Sequence, residues 1–516
     1  MKKLVAGFGV ASSLLFALPS FAQYASDIFR YSEINQTGSA RFQGIGGNHA
    51  ALGADPSAIS GNPAGLGFYT RSELSLTPSF IHNSTKSRYL GQITQDGKNN
   101  FNIGQASLVM TSEPSYQRKW KRTSFGISYS RQQSFQSRFN YTGLNNRSAY
   151  IDKVVEDANA LGWTPAQYDQ EYNSNGNNYY YLDEAYFGLQ TIFPVEGATG
   201  KYTRDNPDAA TYQDGLFDQK GSQTQWSFSY GGNYNDKLFV GGSIGLTGIR
   251  YEYTHSLIDS YQKDGPFRSS ELYEDFSVRG NGVNATFGMI YKPNPAIQFG
   301  GTLTTPTFTR ISKEVFNQNV SADYVPGSIT NEQGQDVGPS ETNVWLVPNE
   351  FQYNMISPFR ASGGLTYFFG RKGFVTGTVD YVGYGGMRGS TNYLSASENS
   401  NFKENTNADV KALYKNVING KVGAEYRINN ILNARVGVSY ISDPYRQQFS
   451  NLDRSKIYYS GGLGIRNDRF FADATASLGT FKSNYTPYVL NNESNYSSVS
   501  IDNKMLNVML SVGVFF

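Results

Sequence analysis

The chain closes on Leu506–Phe516, LNVMLSVGVFF, a stretch that alternates with a period of two. Leu506, Val508, Leu510, Val512, Val514 and Phe516 form an apolar parity, and Asn507, Met509, Ser511, Gly513 and Phe515 a mixed, partly polar one. Successive side chains of a strand point to opposite faces, so one face of this segment meets an apolar phase and the other does not. A sandwich strand in a soluble protein alternates in the same way. Two details favour lipid: the length, and the aromatic residue that ends the apolar parity.

Working back from this end, strand pairs recur around tight turns. Val283, Ala285, Phe287, Met289 and Tyr291 reach Lys292-Pro293-Asn294-Pro295, and Ile297, Phe299 and Leu303 return. Similar pairs flank Gly370-Arg371-Lys372-Gly373, Asn429-Asn430, Asn467-Asp468 and Asn235-Asp236. Turn chemistry and alternation agree in all of them. The connections on the other side are long and polar, as at Ile311–Tyr353 and Met387–Val410. Short turns on one side and long loops on the other are the asymmetry of a transmembrane barrel. Tyr291, Phe368, Phe369, Tyr381 and Tyr440, near strand ends, fit interfacial girdles. Phe516 in last position resembles the recognition signal of bacterial outer-membrane barrels, which implies that Val512, Val514 and Phe516 are read by the barrel-assembly machinery.

The alternation predicts fourteen strands, near 73–82, 101–112, 120–139, 223–234, 237–256, 277–291, 296–309, 356–369, 374–385, 412–428, 431–443, 457–466, 470–482 and 503–516. Tyr181–Phe193 reads as a strand or a short helix. Counting it as a strand gives an odd number, whereas bacterial single-chain barrels are even. It is therefore placed, with the helix-like Ala149–Ala160, in one external excursion over about 140–222. The expected fold is all-β: a 14-stranded antiparallel transmembrane β-barrel over 73–516.

Composition agrees. The 516 residues include 54 Gly, 38 Tyr, 34 Phe and no Cys, and the mean hydropathy of −0.47 excludes a bundle of membrane helices. Without Cys there is no disulfide framework, zinc cluster, cysteine nucleophile or lipoprotein anchor. A net charge of +2 gives no call for nucleic acid. Lys2 and Lys3, the apolar Leu4–Leu18 and Ser20-Phe21-Ala22 read as a signal peptide over 1–22. The apolar core is shorter than the roughly 20 residues a helical span needs. The mature chain is expected to begin at Gln23 and to reside in a Gram-negative outer membrane as a monomer.

A fourteen-stranded lumen is wider than side chains can fill. The segment available to occupy it is 23–72, whose core is Gly38–Ser72, GSARFQGIGGNHAALGADPSAISGNPAGLGFYTRS. Asp55-Pro56 starts a helical turn with an N-cap carboxylate and Pro at the first position, and Gly61 ends it. Asn62-Pro63 imposes an extended residue and a turn. Ser39–Gly44 and Asn48–Leu52 read as short helices broken at Gly46-Gly47. Such short helices are marginal alone and need a surrounding wall.

Gly38-Ser39-Ala40-Arg41, Gly46-Gly47, Asp55-x-Ser57-Ala58-Ile59 and above all Asn62-Pro63-Ala64-Gly65-Leu66 resemble the N-terminal hatch of the FadL family. These are outer-membrane transporters of long-chain fatty acids and other hydrophobic compounds. The resemblance extends to GGLTYFFG, VGAEYRI, LNARVGVSYISDP, SGGLGIR and the terminal Phe, leaving out the long loops. It implies passive uptake of hydrophobic small molecules, with Asn62, Pro63, Ala64, Gly65, Gly46 and Gly47 in the gating hatch. Gln23 and Tyr24 would begin the segment beside the substrate pocket. It also implies a lateral exit into the membrane at a kinked strand; the third, polar through Arg131-Gln132-Gln133, is the candidate.

Other chemistry is weaker. His49, His82 and His255 are too scattered for a metal site, and a haem or metal role for His49 lacks a spaced partner. Gly44-x-Gly46-Gly47 lacks the strand and acid of a dinucleotide fingerprint. Gly241-Gly242-Ser243-Ile244-Gly245 spells a nucleophile elbow but lies inside an alternating strand. No catalytic residue and no cofactor is expected. Two alternatives stand beside transport: a FadL-like barrel binding protein partners in secretion or attachment, and an unselective aqueous porin. A TonB-dependent receptor would need a larger plug than Gln23–Ser72.

Overall fold

A computed structural model describes residues 18–115, 117–205, 210–446 and 451–516. Residues 1–17 of the expected signal peptide lie outside them. Fourteen antiparallel strands close into a barrel: β1 (Glu73–Tyr89), β2 (Gln92–Thr111), β3 (Trp120–Ser134 and Ser137–Asn145), β4 (Thr211–Tyr234), β5 (Leu238–Tyr261), β6 (Phe267–Asn294), β7 (Ile297–Thr304 and Phe308–Tyr324), β8 (Asn349–Ile356 and Arg360–Phe368), β9 (Gly373–Val382), β10 (Val417–Arg427), β11 (Leu432–Ile441), β12 (Lys456–Arg466), β13 (Phe470–Tyr485) and β14 (Val499–Phe515). β14 returns to β1, with Leu74 opposite Val514, so no edge is left open.

The terminal segment behaves as its parity demands. Leu506, Val508, Leu510, Val512, Val514 and Phe516 are exposed on the outer face, while Asn507, Met509 and Ser511 are buried inside. The same outward band continues through Leu74, Leu76 and Phe80 on β1 and Val283, Phe287 and Met289 on β6. Tyr291, Phe369, Tyr381 and Tyr440 face outward as expected. Phe368 does not: it sits on the opposite parity, half-buried against Phe374 with ring centroids 5.5 Å apart.

The differences lie toward the loop side. β1 and β2 run on past residues 82 and 101 to meet at Leu90-Gly91, both at positive φ. The predicted loop Ile311–Tyr353 is largely strand: β7 continues to Tyr324, and Asn343–Trp345 pairs with it. The excursion between β3 and β4 is confined to 146–210. It holds three helices, Tyr150–Leu161, Pro165–Ser174 and Leu182–Gly188, and a small hairpin of Ile192–Pro194 with Tyr202–Arg204. Tyr181–Phe193 thus supplies both a helix and a short strand outside the barrel sheet. Met387–Val410 is mostly the helix Ala396–Leu413, opened by Ser395 and Glu398 as a capping box.

Candidate functional site: the hatch and a seam in the wall

Ahead of β1 the chain runs through the helix Leu18–Arg30, an extended stretch, the one-turn helix Ala40–Gly44, and 3-10 turns at Pro56–Ile59 and Pro63–Phe68. Caps define each turn. Ser39 Oγ accepts from Phe42 N at 3.1 Å, Asp55 Oδ1 from Ser57 N at 2.9 Å and Asn62 Oδ1 from Ala64 N at 3.1 Å. Asn48–Leu52, expected as a helix, is turn and coil. There Asn48 Nδ2 donates to Ile45 O at 2.6 Å, so the side chain closes the turn that a helical bond would otherwise supply.

The expected gate residues all meet the wall or one another. Asn62 is fully buried, and its Nδ2 donates to Ala50 O at 2.6 Å, joining two limbs of the hatch. Gly46 and Gly47 turn at φ +73° and +72°, a conformation L side chains resist. Gly65 N donates to Asn62 O at 2.9 Å, and Gly65 O accepts from Ala54 N at 3.2 Å. Opposite these backbones the wall has glycine. A Cβ at Gly288 would strike Asn62, one at Gly241 would strike Pro63 and Ala64, one at Gly300 would strike Ala50, and one at Gly437 would strike Gly46. Inward hydroxyls serve further polar groups of the hatch: Ala40 N donates to Ser511 Oγ and Thr475 Oγ1 donates to Ala40 O, both at 2.7 Å. Ion pairs add to this: Arg41 Nε lies 3.0 Å from Glu425, which Arg435 Nε also meets at 2.7 Å. Burial, reinforced by the nearby Lys421 ammonium, pushes the His49 imidazole down to about 4, so it is neutral at physiological pH.

The wall is not uniform. β2 pairs with β3 only where Gln105–Thr111 meets Ser124–Ser130. Beyond that, β3 breaks at Phe135-Gln136, and its second half, Ser137–Asn145, pairs with β4 and not with β2. Gly221 shapes the break: its φ is +115°, and a Cβ there would strike Arg250 O. Its carbonyl accepts from Phe135 N at 3.1 Å and from Arg131 Nη2 at 3.2 Å. Side chains alone close the resulting seam. Arg138 grips Asp96 with Nε at 3.0 Å and Nη2 at 2.9 Å, Thr94 Oγ1 donates to Asn140 O at 2.6 Å, and Lys98 pairs with Asp218.

The N-terminal segment sits beside this break. Phe135 turns inward, its ring edge-on to Tyr31 and Tyr251. Tyr24 packs against Phe351, Tyr353 and Phe402, with centroids 4.9–5.5 Å away, and Phe29 stacks on Tyr414 at 4.7 Å. Gln23 lies one position earlier in the same helix. A cavity of about 300 Å³ opens at the break. Its lining is two-sided: Asn35, Gln132, Gln133 and Arg131 among the polar groups, Ile81, Phe135, Phe481 and Met509 among the apolar ones. Two smaller cavities, of about 90 and 50 Å³, continue inward, and Asn35 and Gln132 line all three. Arg131 Nε is buried there without a hydrogen-bond partner.

The break lies in β3, the strand named above as the candidate, two residues beyond Arg131-Gln132-Gln133. Sequence reasoning missed Phe135, Gly221 and the Arg138–Asp96 clamp. The wall glycines had a signal, since glycine inside a strand often marks the close approach of another backbone.

No family model matches the chain, and no curated protein sequence does. Solved structures do. A FadL homologue from Pseudomonas aeruginosa is 13% identical with a TM-score of 0.52, the match covering 93% of this chain and 99% of that one. The toluene transporter TodX of P. putida is 12% identical with a TM-score of 0.51 at the same coverage. The chain thus has the fold of FadL-type outer-membrane transporters.

Proposed function

We propose that the protein is an outer-membrane channel for passive uptake of hydrophobic compounds, long-chain fatty acids among them. The observation that carries this is the seam: a stretch of wall without backbone pairing, opening onto a cavity that the N-terminal segment lines. Among the described residues the other pairs of neighbouring barrel strands are joined by ladders, and beyond Gln105–Thr111 β2 and β3 are not, so a solute leaving sideways has its lowest barrier here. The two-sided lining suits an amphiphile, whose carboxylate would meet the free Arg131 Nε while its chain lies along Ile81, Phe135 and Met509.

Gating belongs to the hatch and the segment preceding it. A ligand shifts a gate only by its differential affinity for the two states. The stretch from Ser32 to Gly38 lines the cavities and carries no regular structure, so it is the part a solute can displace while the body of the hatch stays docked. Tyr24 anchors its far end against Phe351, Tyr353 and Phe402, and Gln23 begins the segment once the signal peptide is removed after Ala22. Val512, Val514 and Phe516 serve assembly. The test is uptake of a labelled fatty acid by cells carrying a chain deleted from Gln23 to Asn35 at normal surface levels. Altered uptake with an intact barrel is expected. Unchanged uptake in that variant, and in one with Asn62-Pro63-Ala64 replaced, overturns the gate.

A further inference from the structure

On the outer face of the barrel, above the apolar band on the loop side, three cations stand in register on neighbouring strands. Arg250 of β5 lies directly opposite Arg279 of β6, and Arg279 directly opposite Lys313 of β7. A register shift between Ile311 and Lys313 turns Lys313 outward beside Ser312. Arg310 follows the outward Phe308 by two residues on the same face, and Lys220 of β4 joins from the other side. All five are exposed. Glu252 offsets two of them, at 2.8 Å from Arg250 and 3.1 Å from Lys220. Among the described residues, no carboxylate stands within ion-pair distance of Arg279, Arg310 or Lys313.

Like charges directly opposite on a ladder repel, so this row is unfavourable unless an anion covers it. Its position says which anion. Leu246, Val283 and Phe308 are exposed to lipid on the same three strands, four, four and two residues from Arg250, Arg279 and Arg310. At about 3.3 Å per residue, the cations stand roughly 7–13 Å beyond the last lipid-facing side chains. That is the level of the headgroups in the leaflet on the loop side, the outer one. We propose that Arg250, Arg279, Arg310 and Lys313 form a binding site for the phosphate groups of an outer-leaflet lipid. Guanidinium forks match phosphate oxygens, and the site turns a repulsive row into a fixed contact with the surrounding membrane. It rests on placement in an outer membrane and is independent of cargo or gate.

The test uses the full chain folded in detergent, offered a bisphosphorylated disaccharide lipid or the same lipid after enzymatic dephosphorylation, with retention read by native mass spectrometry. The wild type is expected to hold the phosphorylated form and shed the other. Replacing Arg250, Arg279, Arg310 and Lys313 by Gln should weaken retention about tenfold or more. Neutralising Lys237, Lys292 and Lys372 at the opposite end should leave it unchanged. If the fourfold variant does not fold, Arg279→Gln alone serves, with a loss of about threefold. Equal retention of the dephosphorylated lipid, undiminished retention by a folded variant, or full displacement by millimolar inorganic phosphate would each overturn the assignment.

Discussion

Between Ser39 and Phe68 the hatch meets the barrel backbone to backbone, across glycines that leave no room for a methyl group. Between β2 and the far half of β3 the wall meets itself only through side chains. Both contacts join segments that must stay closed for the membrane to stay sealed, yet they are built for opposite responses. A close-packed interface is bistable or fixed and does not deform by degrees. A seam of partly exposed ion pairs and hydroxyl bonds opens for less free energy than a backbone ladder, because such pairs contribute little.

The largest effect is expected from filling a hatch-facing glycine. Gly437→Val on β11 puts a branched side chain into the backbone of Ile45 and Gly46. Overpacking of this kind costs about 1–3 kcal/mol, and more where backbone must move. The variant should lose thermal stability, expose hatch amides to hydrogen exchange and show steady ion conductance in planar bilayers. Gly363→Val, on β8 where a Cβ meets nothing within 4 Å, is the control. Equal behaviour of the two would mean that the hatch is not wedged against the wall.

Arg41→Leu tests the ionic part of the same contact. Arg41 and Arg435 share Glu425, and Arg435 also holds Asp473. Removing one partner of a buried pair typically costs about 3–5 kcal/mol, but here Arg435 remains to compensate Glu425. The expected loss is therefore smaller, about 1–2 kcal/mol, read as a lower melting temperature with the barrel intact. Arg41→Leu combined with Glu425→Leu should recover part of it.

How much of this was legible can be seen in Leu506–Phe516 itself. One parity announced the lipid face, and the other carries Ser511, whose hydroxyl receives Ala40 N. Strand alternation and turn chemistry located all fourteen strands because both are local. The cap at Asp55 was legible for the same reason, whereas those at Ser39 and Asn62 were found in the structure. The break at Phe135-Gln136 was not. Its residues are ordinary for a strand, and it exists because Gly221, 86 positions beyond Phe135, folds back at positive φ while Tyr31 meets the inward ring. The strand ends beyond 82 and before 101 were missed because above the lipid band the outward residues become polar, as at Ser84, Lys86 and Asn99, and the alternation fades while the ladder continues.

His49 ties the closure of the hatch to pH. Its imidazole is lowered from 6.5 to about 4 in the folded chain, chiefly by burial. A group depressed on folding contributes stability that is fully present above its unfolded value and is lost as pH falls through the folded one. The hatch should therefore loosen between about pH 6.5 and 4. Because His49 borders a cavity, the full shift overstates the effect, and about a tenfold loss of hydrogen-exchange protection in hatch amides is expected after correction for intrinsic rates. His49→Gln should flatten that slope, while protection of the β13–β14 ladder stays level in both proteins.

The smallest effect on stability belongs to the seam, and it should carry the largest effect on flux. Arg138 holds Asp96 across the unpaired stretch with its guanidinium half in solvent. An exposed bidentate pair is worth about 0.5–1 kcal/mol, so Arg138→Gln should barely move the melting temperature. The same loss falls on a line where no ladder resists opening, and a change of about 0.8 kcal/mol shifts an open–closed equilibrium roughly fourfold. Uptake should rise by that order, with no increase in ion conductance, because the hatch still closes the lumen. Exchange of the Ser137–Asn145 amides should quicken with it, and those of Gln105–Thr111, still laddered to β3, should not. A large stability loss with unchanged uptake would reverse the comparison, making the clamp a structural strut and moving the exit elsewhere in the wall.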